Sequence, residues 1–144
     1  MNVAAGRLLG IDFGTKRVGL ALSDPSRTIA RGLDTITYRS VYDLIAQLRR
    51  VIEGEVVTQF VIGMPLNMKG EEGGAARKVA AFVKLLEKEF MLPSVYVDER
   101  FTSKIAEQTL QSYGKSVSRN KDEIDKIAAM LILQTYLDRS NASV

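Results

Sequence analysis

Leu9-Gly10-Ile11-Asp12-Phe13-Gly14-Thr15-Lys16-Arg17-Val18-Gly19-Leu20-Ala21-Leu22-Ser23-Asp24 decides how this chain folds. An apolar run carries one carboxylate, breaks at Gly14 and resumes as a second apolar run. The pattern predicts a hairpin with strands over 7–13 and 17–23, turning through Gly14-Thr15-Lys16. Asp12 then lies on the first strand. Burying an unpaired carboxylate costs more than a strand gains by placing it there. Such an acid needs a partner, and a metal ion is the partner that would make it useful.

Working outward, residues 28–37 read as a third strand. Ser40 and Asp43 form an N-cap pair, and Val41, Leu44, Ile45, Leu48 and Ile52 follow a helical period. A short buried strand is expected over 56–62, then a loop from Gly63 to Gly74. Val79, Phe82, Val83, Leu86 and Phe90 mark a second helix, and Pro93 opens a strand at Val95-Tyr96-Val97. Thr102 is placed to cap a helix whose apolar face is Ile105, Ala106, Thr109, Leu110 and Tyr113, with Gly114 ending it. Asn120 begins the last helix, apolar nearly all round from Ile124 to Leu137 and therefore deeply packed.

The order is β-β-β-α-β-α-β-α-α. It predicts one α/β domain over 1–144 with a mixed five-stranded sheet, flanked by helices on both faces. An antiparallel three-strand meander joins two parallel strands, and the first strand is central. That is the pattern of a ribonuclease H-like domain.

Composition limits the chemistry. The 144 residues include no cysteine and no histidine, so thiolate and imidazole ligands are excluded, as is the commonest general base. A metal would be held by oxygen, which favours Mg²⁺ or Mn²⁺. No apolar stretch approaches the roughly 20 residues of a membrane span, and the N-terminal apolar region is too short for a signal peptide. A cytoplasmic protein without membrane contact is expected. The net charge is +3. Arg100, Lys104, Lys115, Arg119 and Lys121 cluster against Glu107 alone, enough to neutralise several phosphates or simply to form a solvated face.

Three acids are expected to meet in this fold. Asp12 lies on the central strand, and Glu99 follows the carboxyl end of the last strand, where sites gather in such sheets. Asp125 opens the final helix, and the small Ala128 and Ala129 let that helix lie close to the sheet. Asp98 competes with Glu99, but strand alternation aims only one of them at the site. Bound divalent cations would remove the repulsion among these acids and activate water for phosphodiester hydrolysis. Plainer readings exist for each acid: Asp12 as a turn cap, Glu99 as an ordinary charge before a helix, and Asp125 as a partner of the helix dipole with Asp122 and Glu123. The Gly63–Gly74 loop reads either as a connector or as a substrate lid.

Four blocks carry a family resemblance that runs nearly end to end. They are Gly10-Ile11-Asp12-Phe13-Gly14-Thr15-Lys16-Arg17-Val18-Gly19, Gly63-Met64-Pro65-Leu66-Asn67, Asp98-Glu99-Arg100-Phe101-Thr102, and Asp125-Lys126-Ile127-Ala128-Ala129 with Leu131-Ile132-Leu133-Gln134. The chain resembles the YqgF (RuvX) family of bacterial nucleases. The resemblance implies a ribonuclease H-like fold related to the RuvC resolvases, and Asp12, Glu99 and Asp125 as the catalytic and metal-binding triad. It implies trimming of the 5′ end of pre-16S ribosomal RNA, with Holliday-junction resolution as the older assignment. Lys16, Arg17 and Arg100 would sit near the scissile phosphate. Gly14, Thr15, Asn67 and Thr102 from the same blocks, and Lys115 and Arg119 from the basic segment, are the other expected substrate contacts. Asp122, one turn before Asp125, is the candidate fourth acid.

Two other classes compete. Gly10 to Thr15 also resembles the first phosphate loop of the actin, sugar-kinase and heat-shock-chaperone ATPases, but those use two domains and a second loop. A non-catalytic RNA-binding module would keep the fold and leave the acids structural. The expected partners are nucleic acid, pre-rRNA ahead of branched DNA, and the ribosome or transcription machinery. The chain is expected to be a monomer or weak homodimer.

Overall fold

The computed structural model describes residues 6–66, 69–71, 73–100 and 102–142. Strands β1 (Arg7–Phe13), β2 (Arg17–Ser23) and β3 (Ala30–Thr37) precede helix α1 (Val41–Glu55). Then come β4 (Val57–Met64), α2 (Gly74–Phe90), β5 (Ser94–Asp98), α3 (Thr102–Ser112) and α4 (Lys121–Ala142). The five strands form one sheet in the order β3-β2-β1-β4-β5. β1 and β2 pair antiparallel, as do β2 and β3, whereas β1–β4 and β4–β5 are parallel. The expected meander, the two parallel strands and the central position of β1 are all present.

Alternation along the strands sorts side chains onto two faces. Leu9 and Ile11 of β1, Leu20 and Leu22 of β2, and Phe60 and Ile62 of β4 face α1 and α2, meeting Leu44, Leu48, Val79 and Val83 in the larger core. The opposite face carries Leu8, Ala21, Val61 and Val97 against Ala129, Ile132, Leu133 and Leu137 of α4. Asp12 has the parity of Leu8 and Gly10, so it belongs to the α4 face. α4 lies between this sheet face and α3. That explains a helix with no exposed residue from Glu123 to Leu137.

Glycines stand on the sheet face under α4 at its closest contacts with the helix. A Cβ at Gly19 would stand 2.1 Å from the Asp125 carbonyl oxygen, and one at Gly10 would stand 2.7 Å from the Leu133 Cβ. The helix therefore rests almost on the backbone of β1 and β2. That close approach brings the first turn of α4 to the end of β1 where Asp12 sits.

Several boundaries differ from expectation. β3 begins at Ala30 instead of residue 28, because the Thr28 and Ile29 amides donate to Asp24 Oδ1 at 2.8 and 2.9 Å. That turn, with the Ser26 hydroxyl, holds the Asp24 carboxyl below the usual carboxylate range, the Ile29 amide contributing most. β4 starts one residue late, since Val56 takes a left-handed conformation (φ 55°) and its N–H closes α1 onto the Ile52 carbonyl. It also runs on to Met64, because Gly63 and Met64 pair with Val97 and Asp98. Gly63 is thus strand and not loop. In α3, Ala106 and Leu110 are buried, but Ile105 is 45% and Tyr113 77% exposed. Only part of the expected apolar face packs, because α3 packs chiefly against one element, α4. Thr102 is the first helical residue of α3. Asn120 precedes α4, its side-chain amide donating to the Ser116 carbonyl at 2.6 Å.

Candidate active site

Asp12 lies at the carboxyl end of central β1, and Glu99 one residue beyond β5. Their carboxyl groups are hydrogen-bonded to each other. Glu99 gets there by parity: Val95 and Val97 face α4, so Glu99 does too, while Asp98 points away and binds the Arg100 guanidinium at 2.8 Å. The Glu99 amide donates to the Met64 carbonyl at 3.1 Å, and its own carbonyl accepts from the Thr102 amide at 3.0 Å. Gly63 leaves the space the carboxyl occupies, since a Cβ there would fall 2.8 Å from the Glu99 Cδ.

Asp125 approaches from the first turn of α4 but turns to Arg17, whose Nε donates to Oδ2 at 2.7 Å. Asp122 shares the same guanidinium at 3.7 Å, with a side chain 70% exposed. The structure therefore brings two acids into contact and sets the third beside them. Among the described residues no three carboxylates converge closely enough to hold a metal ion as placed. The repulsion is relieved otherwise: burial favours the protonated form of the Asp12–Glu99 pair, and Arg17 balances Asp125.

The electrostatics follow from that arrangement. Burial is the main cause that pushes the Asp12 carboxyl up to about 6, against the lowering effect of its Glu99 hydrogen bond, with Asp125 adding repulsion. Burial and then the Asp12 charge push Glu99 further, to about 9. Both carboxyls are raised, so the pair holds a proton more tightly than either acid would in water. Two carboxylates in contact must share either a proton or a cation. This donor set is all oxygen, which suits a hard divalent ion. Arg17, with its side chain 34% exposed, has room to swing off Asp125 and complete the set.

Two clefts open on the acids. One of about 400 Å³ is lined by Asp12, Glu99, Thr15, Leu66, Lys78 and Arg100, among others. A second of about 240 Å³ lies between Asp12 and Asp125, walled by Gly14, Thr15, Lys16 and Arg17. Tyr38 braces the turn between them, its hydroxyl donating to the Gly14 carbonyl at 2.6 Å. Gly14, Thr15, Lys16, Arg17 and Arg100 thus stand where the sequence placed them, around the acids. Lys115 and Arg119 do not: they lie on the exposed segment between α3 and α4 and line neither cleft. Asn67 and Phe101 lie outside the described residues. Lys78, on the exposed face of α2, was not anticipated. Its helical position marks it as solvent-facing, and only the fold shows that this face overlooks Asp12.

Known proteins resemble this chain in sequence and in fold. The family model described as "RuvX: Holliday junction resolvase" matches residues 6–139. A Koribacter versatilis protein named "Putative pre-16S rRNA nuclease" is 41% identical over 93% of this chain and 88% of its own length. A Geobacillus protein of the same name is 43% identical over 92% of this chain and 97% of its own. Among solved structures, Thermus thermophilus RuvC in complex with a Holliday junction substrate superposes with a TM-score of 0.59 at 16% identity, covering 96% of this chain and 97% of that one. The fowlpox virus resolvase with junction DNA gives 0.54 at 10% identity, covering 93% and 98%. Both share the fold. By the extent of the family match and the identity to these relatives, the chain belongs to the RuvX (YqgF) family.

Proposed function

We propose that this protein is a divalent-metal-dependent nuclease, a single ribonuclease H-like domain that trims the 5′ end of pre-16S ribosomal RNA in the cytoplasm. The observation that carries the reading is the Asp12–Glu99 pair, two buried-side carboxylates in contact at the mouth of a basic cleft. The relatives' names supply the substrate class. Asp12, Glu99 and Asp125 would hold Mg²⁺ or Mn²⁺, which when bound activates water and stabilises the leaving oxygen of an in-line displacement.

The chain's own residues do the rest. The proton held by the Asp12–Glu99 pair would pass to solvent, freeing both carboxylates as ligands. Arg17 leaves Asp125 and turns to the phosphate, carrying its positive charge from one anion to another. Arg100 on the first cleft and Lys16 on the second neutralise the flanking phosphates. The Gly14-Thr15 turn, fixed by Tyr38, holds its backbone beside Asp12 and keeps the cleft open. Histidine is dispensable here, because a divalent ion held by these acids would lower the pKa of its water, whose proton would pass to solvent.

A second reading, junction resolution, is favoured by the description of the family model. It requires two such sites acting on one junction, hence a dimer. Cleavage of end-labelled single-stranded pre-16S RNA and of a four-way DNA junction, each with Mn²⁺, Mg²⁺ or EDTA, separates the two. Metal-dependent cutting of the RNA supports the first reading. Paired symmetric nicks in the junction, with the RNA intact, replace it with the second. Binding of both without cutting leaves an RNA-binding module.

A further inference from the structure

We infer that the groove between α1 and α2 is a subsite for an unpaired nucleobase of the substrate strand, with Lys78 clamping the phosphate that leads into it. The groove, about 590 Å³, has Leu44 and Phe82 as its floor and Phe13 and Tyr38 as an aromatic wall, with Val41 and Ala81 on the rim. Phe13 stacks on Phe82 with ring centroids 4.2 Å apart, and Tyr38 extends the same wall at 6.5 Å from Phe13.

Three observations select the occupant. First, the groove is continuous with the acid cleft, because Phe13, Thr15 and Lys78 line both. A strand whose phosphate lies at Asp12 and Glu99 has its neighbouring nucleotide directed across Thr15 and Lys78. Second, a cation stands at that junction: Lys78 is exposed and makes no ion pair among the described residues. It is free to meet an anion where the two cavities join. Third, the groove beyond Lys78 is apolar and aromatic, and its Tyr38 hydroxyl is already engaged by Gly14. A flat, weakly polar ring stacks there without demanding hydrogen bonds, which is how bases of single strands are held. Half-exposed Val41 leaves an apolar rim open to solvent that a base would cover.

The subsite favours single-stranded over fully paired substrate, because a stacked, paired base cannot enter it. The inference rests on the nuclease reading for the direction of the strand. Its test reads binding alone, so the two fail separately. The probe is a single-stranded RNA of roughly ten nucleotides, carrying 2-aminopurine at one position at a time, titrated with protein in EDTA. Wild type is expected to change the fluorescence strongly at one position and weakly at the others. Ala81→Trp fills the groove from an exposed rim position, and should abolish that signal and weaken binding about tenfold, with its thermal midpoint unchanged. Lys78→Gln should lower the slope of log affinity against log salt by about 1. Unchanged affinity and fluorescence in a folded Ala81→Trp overturns the subsite, as does a salt slope untouched by Lys78→Gln. A wild-type dimer that Ala81→Trp dissociates, with RNA binding intact, overturns it in favour of a second copy of this chain. Absence of any metal-dependent cleavage by wild type, alongside the expected binding changes, would sink the nuclease reading and leave the subsite standing.

Discussion

At the scale of single residues the site is a conflict held in place by the fold. Asp12 and Glu99 are pressed together where burial disfavours their charged forms, so the metal-free protein keeps a proton that the unfolded chain has lost near pH 4. The folded state therefore binds more protons than the unfolded one above that pH. Stability of the metal-free protein should fall as pH rises from about 4 through about 6, where Asp12 ionises, and onward toward about 9, where Glu99 does. Urea melts in EDTA across that range would show the slope, and saturating Mn²⁺ should flatten it. Asp12→Asn removes the conflict without removing the space. It should leave the metal-free thermal midpoint at pH 8 unchanged or higher, while the metal-induced rise disappears. The placement of Asp12 and Glu99 was legible in the sequence, because an acid stands out in an apolar strand and alternation aims only one of Asp98 and Glu99 at the site. Asp125 was legible as a helix-start acid, but its pairing with Arg17 was not, because it depends on how two distant backbones approach.

That approach belongs to the scale of elements. α4 sits so close to the sheet that glycine on the strands is a steric requirement. At Gly19 the obstacle to a side chain is the Asp125 backbone itself, which cannot give without moving the helix. Gly19→Ala should cost about 1–3 kcal/mol or more and displace Asp125 from the acid pair. At Gly63 the obstacles are the ends of the Ile132 and Glu99 side chains, which can turn. Gly63→Ala should cost less in denaturant melts yet disturb metal binding more, because the group that yields is Glu99. Equal effects of the two on stability and on metal response would contradict this account of the packing. Strands β1 and β2 could be read to the residue, since alternation and the Gly14 break define both ends. The ends of β3 and β4 could not. Asp24 captures the first amides of the expected β3, and the left-handed Val56 delays β4, a conformation its β-branched side chain gives no reason to expect. Ile105 and Tyr113 followed a helical period and still stayed outside, because periodicity reports an amphipathic stripe and not whether a partner covers it.

For the whole molecule, the layered fold concentrates the chemistry at one end of the sheet, where β1 and β5 finish, α4 begins and α2 passes overhead. Lys78 and the aromatic groove escaped the sequence reading because β1, the segment after β3, α1 and α2 each supply a wall. The basic segment between α3 and α4, expected either as a phosphate contact or as a solvated face, lines neither cleft. Lys115→Glu with Arg119→Glu should therefore weaken RNA affinity in a salt-dependent way, while single-turnover cleavage at saturating protein keeps its wild-type rate. No described helix is long and apolar enough to cross a membrane. Metal bound to the folded state alone adds stability by mass action, about 2.7 kcal/mol at a hundred times its dissociation constant, so thermal midpoints should climb with Mn²⁺ concentration. The most direct test of the central claim is single-turnover cleavage of a 5′-extended pre-16S RNA fragment by wild type and Asp12→Asn, with Mn²⁺ and with EDTA, binding measured in parallel. Wild type should cut only with metal, and Asp12→Asn should bind the RNA as tightly while cutting at least about a hundredfold more slowly. Cutting by Asp12→Asn at the wild-type rate, or by wild type in EDTA, would contradict a metal site built on Asp12.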